Sequence, residues 1–280
     1  MSRHDRTLLV PVANRKTVDR LVDTAVDVAR GRSMQVVVIH VVEVPPQLPL
    51  SEGDALVEDD GDERSVLAEA AERLEAAEVP AASRLRYARD VATGIVGAVD
   101  DNDADALLMG WRGRPRRRDI VLGSFLDRVL GEAACDVFVE RIRGGRRDID
   151  SVLIPVTGGP HSHLAVELAG TIAEQHGAEV HLLHVVAPTA TEETRQQARV
   201  LLDDSAALLD GTEVGTGIRE SDHVAGAITD ETAGHDLTVL GATEEPFLRR
   251  KLVGSVAEGV GRAAASSVIL TRRNPRREDA

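Results

Sequence analysis

The 280-residue chain is poor in cysteine and aromatic residues and has no long apolar run, and each shortage excludes a class of protein. Its one cysteine, Cys135, rules out an internal disulfide framework and is interpreted as a small buried apolar residue. No apolar run approaches the roughly 20 residues of a membrane-spanning helix. Residues 1–7 lack the apolar segment of a secretion signal. We therefore expect a soluble cytoplasmic protein without membrane insertion.

Lysine is also scarce, and acidic residues outnumber basic ones. The chain has 47 Asp and Glu against 33 Lys and Arg, a formal net charge of −14, and its two lysines are Lys16 and Lys251. This charge repels phosphate backbones, so we expect no nucleic-acid partner. An acidic, arginine-rich and lysine-poor composition is typical of proteins that stay hydrated in high salt. It indicates a halophilic source.

The sequence contains an internal repeat. Two segments of the first half recur 144 residues later, and two more recur 131 residues later, so the second copy is shorter. The segments are 8–12 with 152–156, 39–42 with 183–186, 108–110 with 239–241, and 122–124 with 253–255. The extra residues of the first copy fall in 48–63, whose glycine, proline and acidic residues predict a loop. The repeat predicts two domains, residues 1–145 and 146–280.

Each copy alternates strand-like with helix-like patterns. In the first copy we predict strands at 7–12, 35–42, 83–88, 104–109 and 135–142, and helices at 18–29, 66–74, 93–99 and 124–130. Most of the strands are apolar throughout, as expected of strands that are covered on both faces. The alternation predicts an α/β fold made of two tandem, Rossmann-like, doubly wound domains.

Glycines with a regular spacing follow the fourth predicted strand. Gly110, Gly113 and Gly123, with Ser124 after them, form G-x2-G-x9-G-S between a strand and a helix. Glycine lets backbone N–H groups approach an anion closely, and a helix N-terminus attracts phosphate. Ordinary turn and cap glycines are the alternative interpretation. The triple spacing with serine, at the strand end where open parallel sheets bind ligands, favours phosphate binding.

The chain resembles the universal stress protein family, as a tandem pair that covers residues 5–273. The motif after strand four, the opening Leu-Leu-Val-Pro-Val strand and the His-Val-Val second strand carry the resemblance. It implies five-stranded, mostly parallel sheets of order 3-2-1-4-5, and ATP as the cofactor, with or without Mg²⁺. The residues that it implies at the nucleotide are Pro11, Val41, Met109, Gly110, Gly113, Gly123, Ser124 and Phe125. Ala13, by its position after strand one, and Arg112, by its charge, complete the candidate site.

Two positions depart from the nucleotide-binding pattern of the family. Ala13 stands where ATP-binding members commonly carry aspartate, and Glu244 replaces the second motif glycine in the second copy. Because a carboxylate repels phosphate, we predict that the first domain binds nucleotide and that the second is degenerate. Arg112 can be interpreted as a phosphate clamp or as part of a solvated, arginine-rich loop.

Patterns for catalysis and for metal binding are weak. His40 and His184 hold equivalent places in strand two and are interpreted as structural, and His161 and His163 have no companion ligands. No Ser-His-Asp order, carboxylate pair or Walker motif is present. We therefore predict no catalytic residue and no metal ligand.

The most direct functional hypothesis is an adenine-nucleotide-binding stress-response or regulatory protein with little or no catalysis. A nucleotide-independent module that regulates a transporter or signalling partner, for example an amino-acid transporter, is the first alternative. A slow ATPase or phosphotransferase is the second. The final strands, 135–142 and 267–271, are predicted to pair in an internal pseudo-dimer, with a homodimer as the other assembly considered.

Overall fold

The chain divides into two compact units in its computed structural model. Unit 1 comprises Met1–Arg146 with Asn274–Ala280, and unit 2 comprises Arg147–Arg273. The structure describes residues 6–59, 61–111, 123–141, 148–242 and 255–274, without the side chains of residues 16, 123, 124 and 255. Within these ranges, no helix combines the length and the apolar character needed to cross a membrane.

Unit 1 is a five-stranded parallel sheet with helices between its strands. Its strand order is β3-β2-β1-β4-β5, and the neighbouring strands are parallel. Its elements are β1 (Thr7–Pro11), α1 (Arg15–Arg32), β2 (Gln35–Glu43), a 3₁₀ helix (Leu50–Leu56), α2 (Asp62–Ala76), β3 (Ala81–Ala88), α3 (Val91–Asp101), β4 (Ala106–Trp111), α4 (Gly123–Glu132) and β5 (Asp136–Arg141).

Unit 2 repeats this plan. Its strand order is β10-β9-β6-β7-β8, also with parallel neighbours. Its elements are β6 (Ser151–Pro155), α5 (Gly159–His176), β7 (Glu179–Val186), α6 (Glu192–Ala206), β8 (Val214–Glu220), α7 (Val224–Glu231), a 3₁₀ helix (Thr232–Gly234), β9 (Leu237–Gly241), α8 (Ser255–Ala263) and β10 (Ser267–Arg272). The predicted class, two tandem Rossmann-like α/β domains, is confirmed.

The central strands are apolar on both faces because helices cover both sides of the sheet. Leu8, Leu9 and Val10 of β1 are all fully buried. Helices α1 and α2 pack on each other, as do α3 and α4. The connections between parallel strands are right-handed. The chain builds β1, β2 and β3 in one direction across the sheet and then β4 and β5 in the other direction. The two helix pairs therefore lie on opposite faces of the sheet. The carboxyl ends of the strands therefore have one rim toward α1 and α2 and another toward α3 and α4.

The prediction of a loop over 48–63 was wrong in two places. Leu50–Leu56 is a 3₁₀ helix, and α2 already begins at Asp62. The 3₁₀ helix packs on β3: a Cβ on Gly53 would lie 2.5 Å from the ring of Tyr87, whose hydroxyl donates to Asp54 at 2.7 Å. The glycine and the acidic residues indicated a loop, but here Gly53 allows a close contact with Tyr87. The acidic residues at the start of α2 stabilise the first turn of that helix.

A buried ion pair links strand β5 to helix α1. Glu140 is fully buried, and the Nε of Arg20 on α1 donates to its Oε1 at 3.0 Å, with the Arg20 side chain 7% exposed. Burial raises the pKa of Glu140 above its ordinary value, and the positive charge of Arg20 opposes that rise. Arg20 therefore keeps a charged carboxylate tolerable inside unit 1.

Candidate functional site

Among the described residues of unit 1, two cavities lie at the carboxyl ends of the strands, and Ala13, just after β1, borders both. The larger one, about 720 Å³, lies on the side of α3 and α4 and is called here the α3/α4 crevice. Its lining residues are Ala13, Glu43, Asp90, Val91, Ala92, Phe125 and Arg128. This is the edge at which open parallel sheets bind ligands.

The walls of the α3/α4 crevice are mostly apolar. Val91 and Ala92 come from the first turn of α3, and Phe125 comes from the first turn of α4. Glu43, the last residue of β2, adds an exposed carboxylate at the rim. Apolar walls with a few polar groups and a volume of several hundred cubic ångströms are typical of small-molecule sites.

Asp90 determines where α3 begins. Its Oδ1 accepts from the backbone N–H of Thr93 at 2.9 Å, and its Oδ2 accepts from the Thr93 hydroxyl at 2.6 Å. These hydrogen bonds lower the pKa of Asp90, and the nearby Arg128 guanidinium adds to the effect. Asp90 is therefore an ionised N-cap that places Val91 and Ala92 in the crevice wall.

Arg128 links the two helices that border the crevice. Its guanidinium lies 3.1 Å from Asp90, at the start of α3, and 3.2 Å from Glu132 on its own helix. The hydrogen bond to Glu132, together with the charge of Asp90, raises the pKa of Arg128. With two carboxylates already beside it, Arg128 is better suited to holding α4 against α3 than to binding a phosphate.

Helix α3 packs against β2, and Gly94 leaves room for the side chain of Val41. A Cβ on Gly94 would lie 2.5 Å from Cγ1 of Val41 and 3.1 Å from Cβ of Ala88. Valine is stiff about χ1, so it cannot turn away at low cost. The side chain of Val41 therefore packs against α3, and it is not among the lining residues of the crevice.

Replacing Gly94 with alanine is expected to destabilise the chain by about 1–3 kcal/mol, the usual cost of overpacking. Chemical denaturation of the full chain measures this loss. Gly97→Ala is the matched control, because a Cβ there would meet the flexible end of the Arg86 side chain at 2.8 Å, which can move. Adding Val41→Ala to Gly94→Ala should restore most of the lost stability. Equal effects of the two glycine substitutions would contradict the close contact.

The nucleotide-binding residues that were predicted from sequence fall into three groups: residues that line the crevice, residues that lie in the strands, and residues without described side chains. Ala13 and Phe125 line the crevice. Pro11 ends β1, Gly110 lies in β4 opposite Glu140, and the side chain of Met109 is 2% exposed. Arg112 and Gly113 lie outside the described residues, and Gly123 and Ser124 are described only as backbone at the start of α4.

Several crevice residues were missed by reasoning from sequence: Glu43, Asp90, Val91, Ala92 and Arg128. One signal was available, because an aspartate directly before an apolar helical run, as Asp90 stands before Val91, is typical of a helix N-cap. The position of Arg128 was not visible, since it depends on how α3 and α4 pack.

In unit 2, the residues that correspond to the motif and to the histidines have structural contacts. A Cβ on Gly241 would lie 2.7 Å from the carbonyl carbon of His161, so glycine is needed there for packing. His161 accepts from the backbone N–H of Arg273 at 3.0 Å. His184 Nδ1 lies 2.7 Å from the backbone oxygen of Val156. Glu244 lies outside the described residues. In the described part of the chain, no three His, Cys, Asp or Glu residues are grouped to hold a metal ion.

Solved structures with the same architecture cover nearly the whole chain. A universal stress protein from Archaeoglobus fulgidus is 20% identical, with a TM-score of 0.69 over 98% of both chains. The cytoplasmic domain of a prokaryotic cation chloride cotransporter is 14% identical, with a TM-score of 0.63 over 96% of both chains. At these identities the likeness establishes the fold.

A curated relative is longer than this chain. The Na⁺/H⁺ antiporter NhaS5 of Synechocystis is 27% identical over 270 residues, which are 94% of this chain and 38% of the antiporter. The chain thus spans well under half of that relative. The family model of the universal stress proteins matches twice, over residues 5–141 and 149–272. The chain therefore belongs to the universal stress protein family, with one family domain in each half.

Proposed function

We propose that unit 1 binds an adenine nucleotide, specifically ATP, as a regulatory or stress-response ligand. The observation that carries this proposal is the position of the α3/α4 crevice. It lies at the carboxyl edge of the sheet and is bordered by α4, the helix that the G-x2-G-x9-G-S motif opens. The crevice would hold the nucleoside, and the start of α4 would hold the phosphates.

The charges of the described residues support this orientation. Glu43 and Asp90 place carboxylates at the crevice, where phosphate oxygens would be repelled. The first turn of α4 has no acidic residue, so its backbone N–H groups favour an anion. The base and ribose fit between the apolar walls, and the phosphates extend toward Gly123 and Ser124.

Glu43 is a candidate for the nucleoside-binding carboxylate that this chain lacks at position 13. Glu43 and Ala13 border the same cavity. A carboxylate there would accept hydrogen bonds from ribose hydroxyls. In this proposal β2 supplies the acid that other members supply after β1.

Calorimetry with ATP on the full chain tests the proposal, together with mass spectrometry of nucleotide released from the purified protein. We expect one site per chain, and about tenfold weaker binding in Glu43→Gln, because a hydrogen bond to a charged group is lost. Glu75→Gln is the control, since it removes one exposed carboxylate from α2, away from the crevice lining. No released nucleotide and no binding heat with ATP or AMP would refute the proposal.

We expect little turnover of the bound nucleotide. Hydrolysis needs an oriented water molecule and usually a metal held by carboxylates. Asp90 is already engaged by Thr93 and Arg128, and Glu43 lies at the nucleoside end in this proposal. If Mg²⁺ is bound with the nucleotide, its ligands would be the hydroxyl of Ser124 and the phosphate oxygens of ATP.

A second candidate function is regulation of a membrane transporter without nucleotide. It is favoured by the likeness to the Na⁺/H⁺ antiporter, which covers 94% of this chain. Such a module would act through its surface, and loss of ATP binding would leave its effect on transport unchanged. Ion-flux measurements in vesicles that contain a Na⁺/H⁺ antiporter, with the wild-type chain and with Gly113→Val, distinguish the two functions.

A further inference from the structure

We propose that β8, the edge strand of unit 2, pairs with the β8 strand of a second copy of this chain in an antiparallel, two-fold arrangement. Among the described strands of unit 2, β8 (Val214–Glu220) ends the strand order, beside β7. Its residues Gly215 and Thr216 are exposed. An exposed edge strand presents backbone groups to which a further strand can bind.

The hydrogen bonds between β7 and β8 show which backbone groups of β8 point outward. The oxygen of Glu213 accepts from the N–H of Val180 at 2.8 Å, and the N–H of Ser221 donates to the oxygen of Val186 at 2.9 Å. In a parallel pair, alternate residues of a strand direct their N–H and C=O groups to the same neighbour. The odd-numbered residues of β8 therefore face β7. The outward-pointing groups belong to the even-numbered residues, which include Val214, Thr216 and Ile218.

Strand β8 lacks the features that usually protect an edge strand from pairing. Val214–Ile218 contains no charged residue and no proline, and the register with β7 runs without a bulge. The outer strand of unit 1 is different, because β3 carries Arg84 and Arg86, and the 3₁₀ helix of unit 1 packs on it. Charges, bulges and covering elements are the usual means of preventing edge pairing. The edge of β3 is therefore protected, whereas that of β8 is open to a further strand.

The two glycines of β8 contribute to packing inside unit 2. A Cβ on Gly215 would lie 3.2 Å from Nδ1 of His181, and a Cβ on Gly217 would lie 3.2 Å from Nε2 of the same ring. This ring stacks on His235, with 5.6 Å between the ring centroids. The imidazole ring thus lies across β8 and holds it as a regular strand beside β7, so the edge is already ordered for a partner.

The sequence of β8 matches itself in one antiparallel register, and this points to a second copy as the partner. A two-fold axis at Thr216 places Val214 opposite the partner's Ile218. Pairs of β-branched residues are favourable across strands. In this register the outward-pointing residues of the two strands also meet each other, so their N–H and C=O groups can form hydrogen bonds.

The charged residues at the ends of the strand agree with this register. Glu213 lies opposite the partner's Arg219, so no like charges are directly opposite each other. Arg219 contacts Glu231 of its own chain at 2.8 Å, and the partner's Glu213 would join that ion pair. Because both copies use the same strand, the pairing closes at a dimer.

Sedimentation of the full chain tests the proposal. We expect a concentration-dependent dimer for the wild-type chain. The dissociation constant should rise about tenfold or more in Thr216→Lys and in Thr216→Glu, because each variant places like charges opposite each other at the axis. An equimolar mixture of the two variants should dimerise again, since a lysine then faces a glutamate. Ser83→Lys is the matched control, because it adds the same charge at an exposed position of β3.

Three results would overturn the proposal: a wild-type chain that stays monomeric at the highest concentration reached, equal dissociation constants for Thr216→Lys and Ser83→Lys, or a mixture that does not dimerise. Assemblies larger than a dimer also contradict it, because a strand that pairs with its own copy has no free edge left. Thermal unfolding verifies that the variants are folded. Recovery in the mixture is a second safeguard, since misfolded chains would not regain a specific dimer.

Discussion

Replacing Arg20 with alanine is expected to lower the free energy of unfolding of the chain by about 3–5 kcal/mol. The substitution leaves the carboxylate of Glu140 fully buried and without the guanidinium that lies 3.0 Å away. Exposed ion pairs contribute much less, typically up to about 1 kcal/mol. Arg199→Ala, which breaks the exposed pair with Glu192 on α6, is therefore the matched control. Denaturant unfolding of the three proteins measures the difference.

The loss in Arg20→Ala should depend on pH. The pKa of Glu140 is raised in the folded protein, so the folded state holds that proton more tightly than the unfolded chain. The stability contributed by this group therefore falls as the pH rises above the ordinary glutamate range. Removing Arg20 raises the pKa of Glu140 further, so the deficit of Arg20→Ala should shrink as the pH is lowered from neutral toward that range.

A neutral replacement of both partners completes this test. Arg20→Met combined with Glu140→Leu should recover most of the stability, because apolar side chains fill the site without a desolvation cost. A single Arg20→Ala substitution that costs no more than Arg199→Ala, or a deficit that stays constant with pH, would show that Glu140 is not a buried charge.

Replacing Gly113 with valine is expected to abolish ATP binding to the chain. Gly113 is the second glycine of the G-x2-G-x9-G-S motif, where the proposed role is to let backbone N–H groups approach phosphate. A β-branched side chain would occupy the space of the phosphate oxygens. Calorimetry with ATP measures the loss, and thermal unfolding verifies that the variant is folded.

The control for Gly113→Val is a valine at a glycine with open surroundings. Gly234, in unit 2, has no atom within 4 Å of a Cβ built on it. Gly234→Val should therefore leave ATP affinity unchanged. Unchanged affinity in Gly113→Val as well would remove the motif from the nucleotide site and would leave the α3/α4 crevice without a phosphate-binding partner.

The fold was predictable from sequence because its signals are local. Strands such as Thr7–Pro11 and Ser151–Pro155 are short, mostly apolar runs, and the helices between the strands have one apolar face. A strand covered on both faces is apolar at most of its positions, whatever its neighbours are. The repeat of these patterns also indicated two similar halves. Element ends were less certain, and at 50–56 composition indicated a loop where a 3₁₀ helix packs on Tyr87.

The sequence by itself thus determined the architecture, the duplication and the family, together with the spacing of the glycine motif. Only the tertiary structure decided which side chains meet. Glu43, Asp90 and Arg128 come from the end of β2, the start of α3 and the middle of α4, and they meet because right-handed crossovers bring those elements to one rim. Likewise, His40 and His184 are equivalent in sequence, yet the Nδ1 of His184 lies beside a backbone oxygen, whereas the Nδ1 of His40 has no hydrogen-bond partner among the described residues. Such differences depend on packing between residues far apart in the chain, which local periodicity does not record.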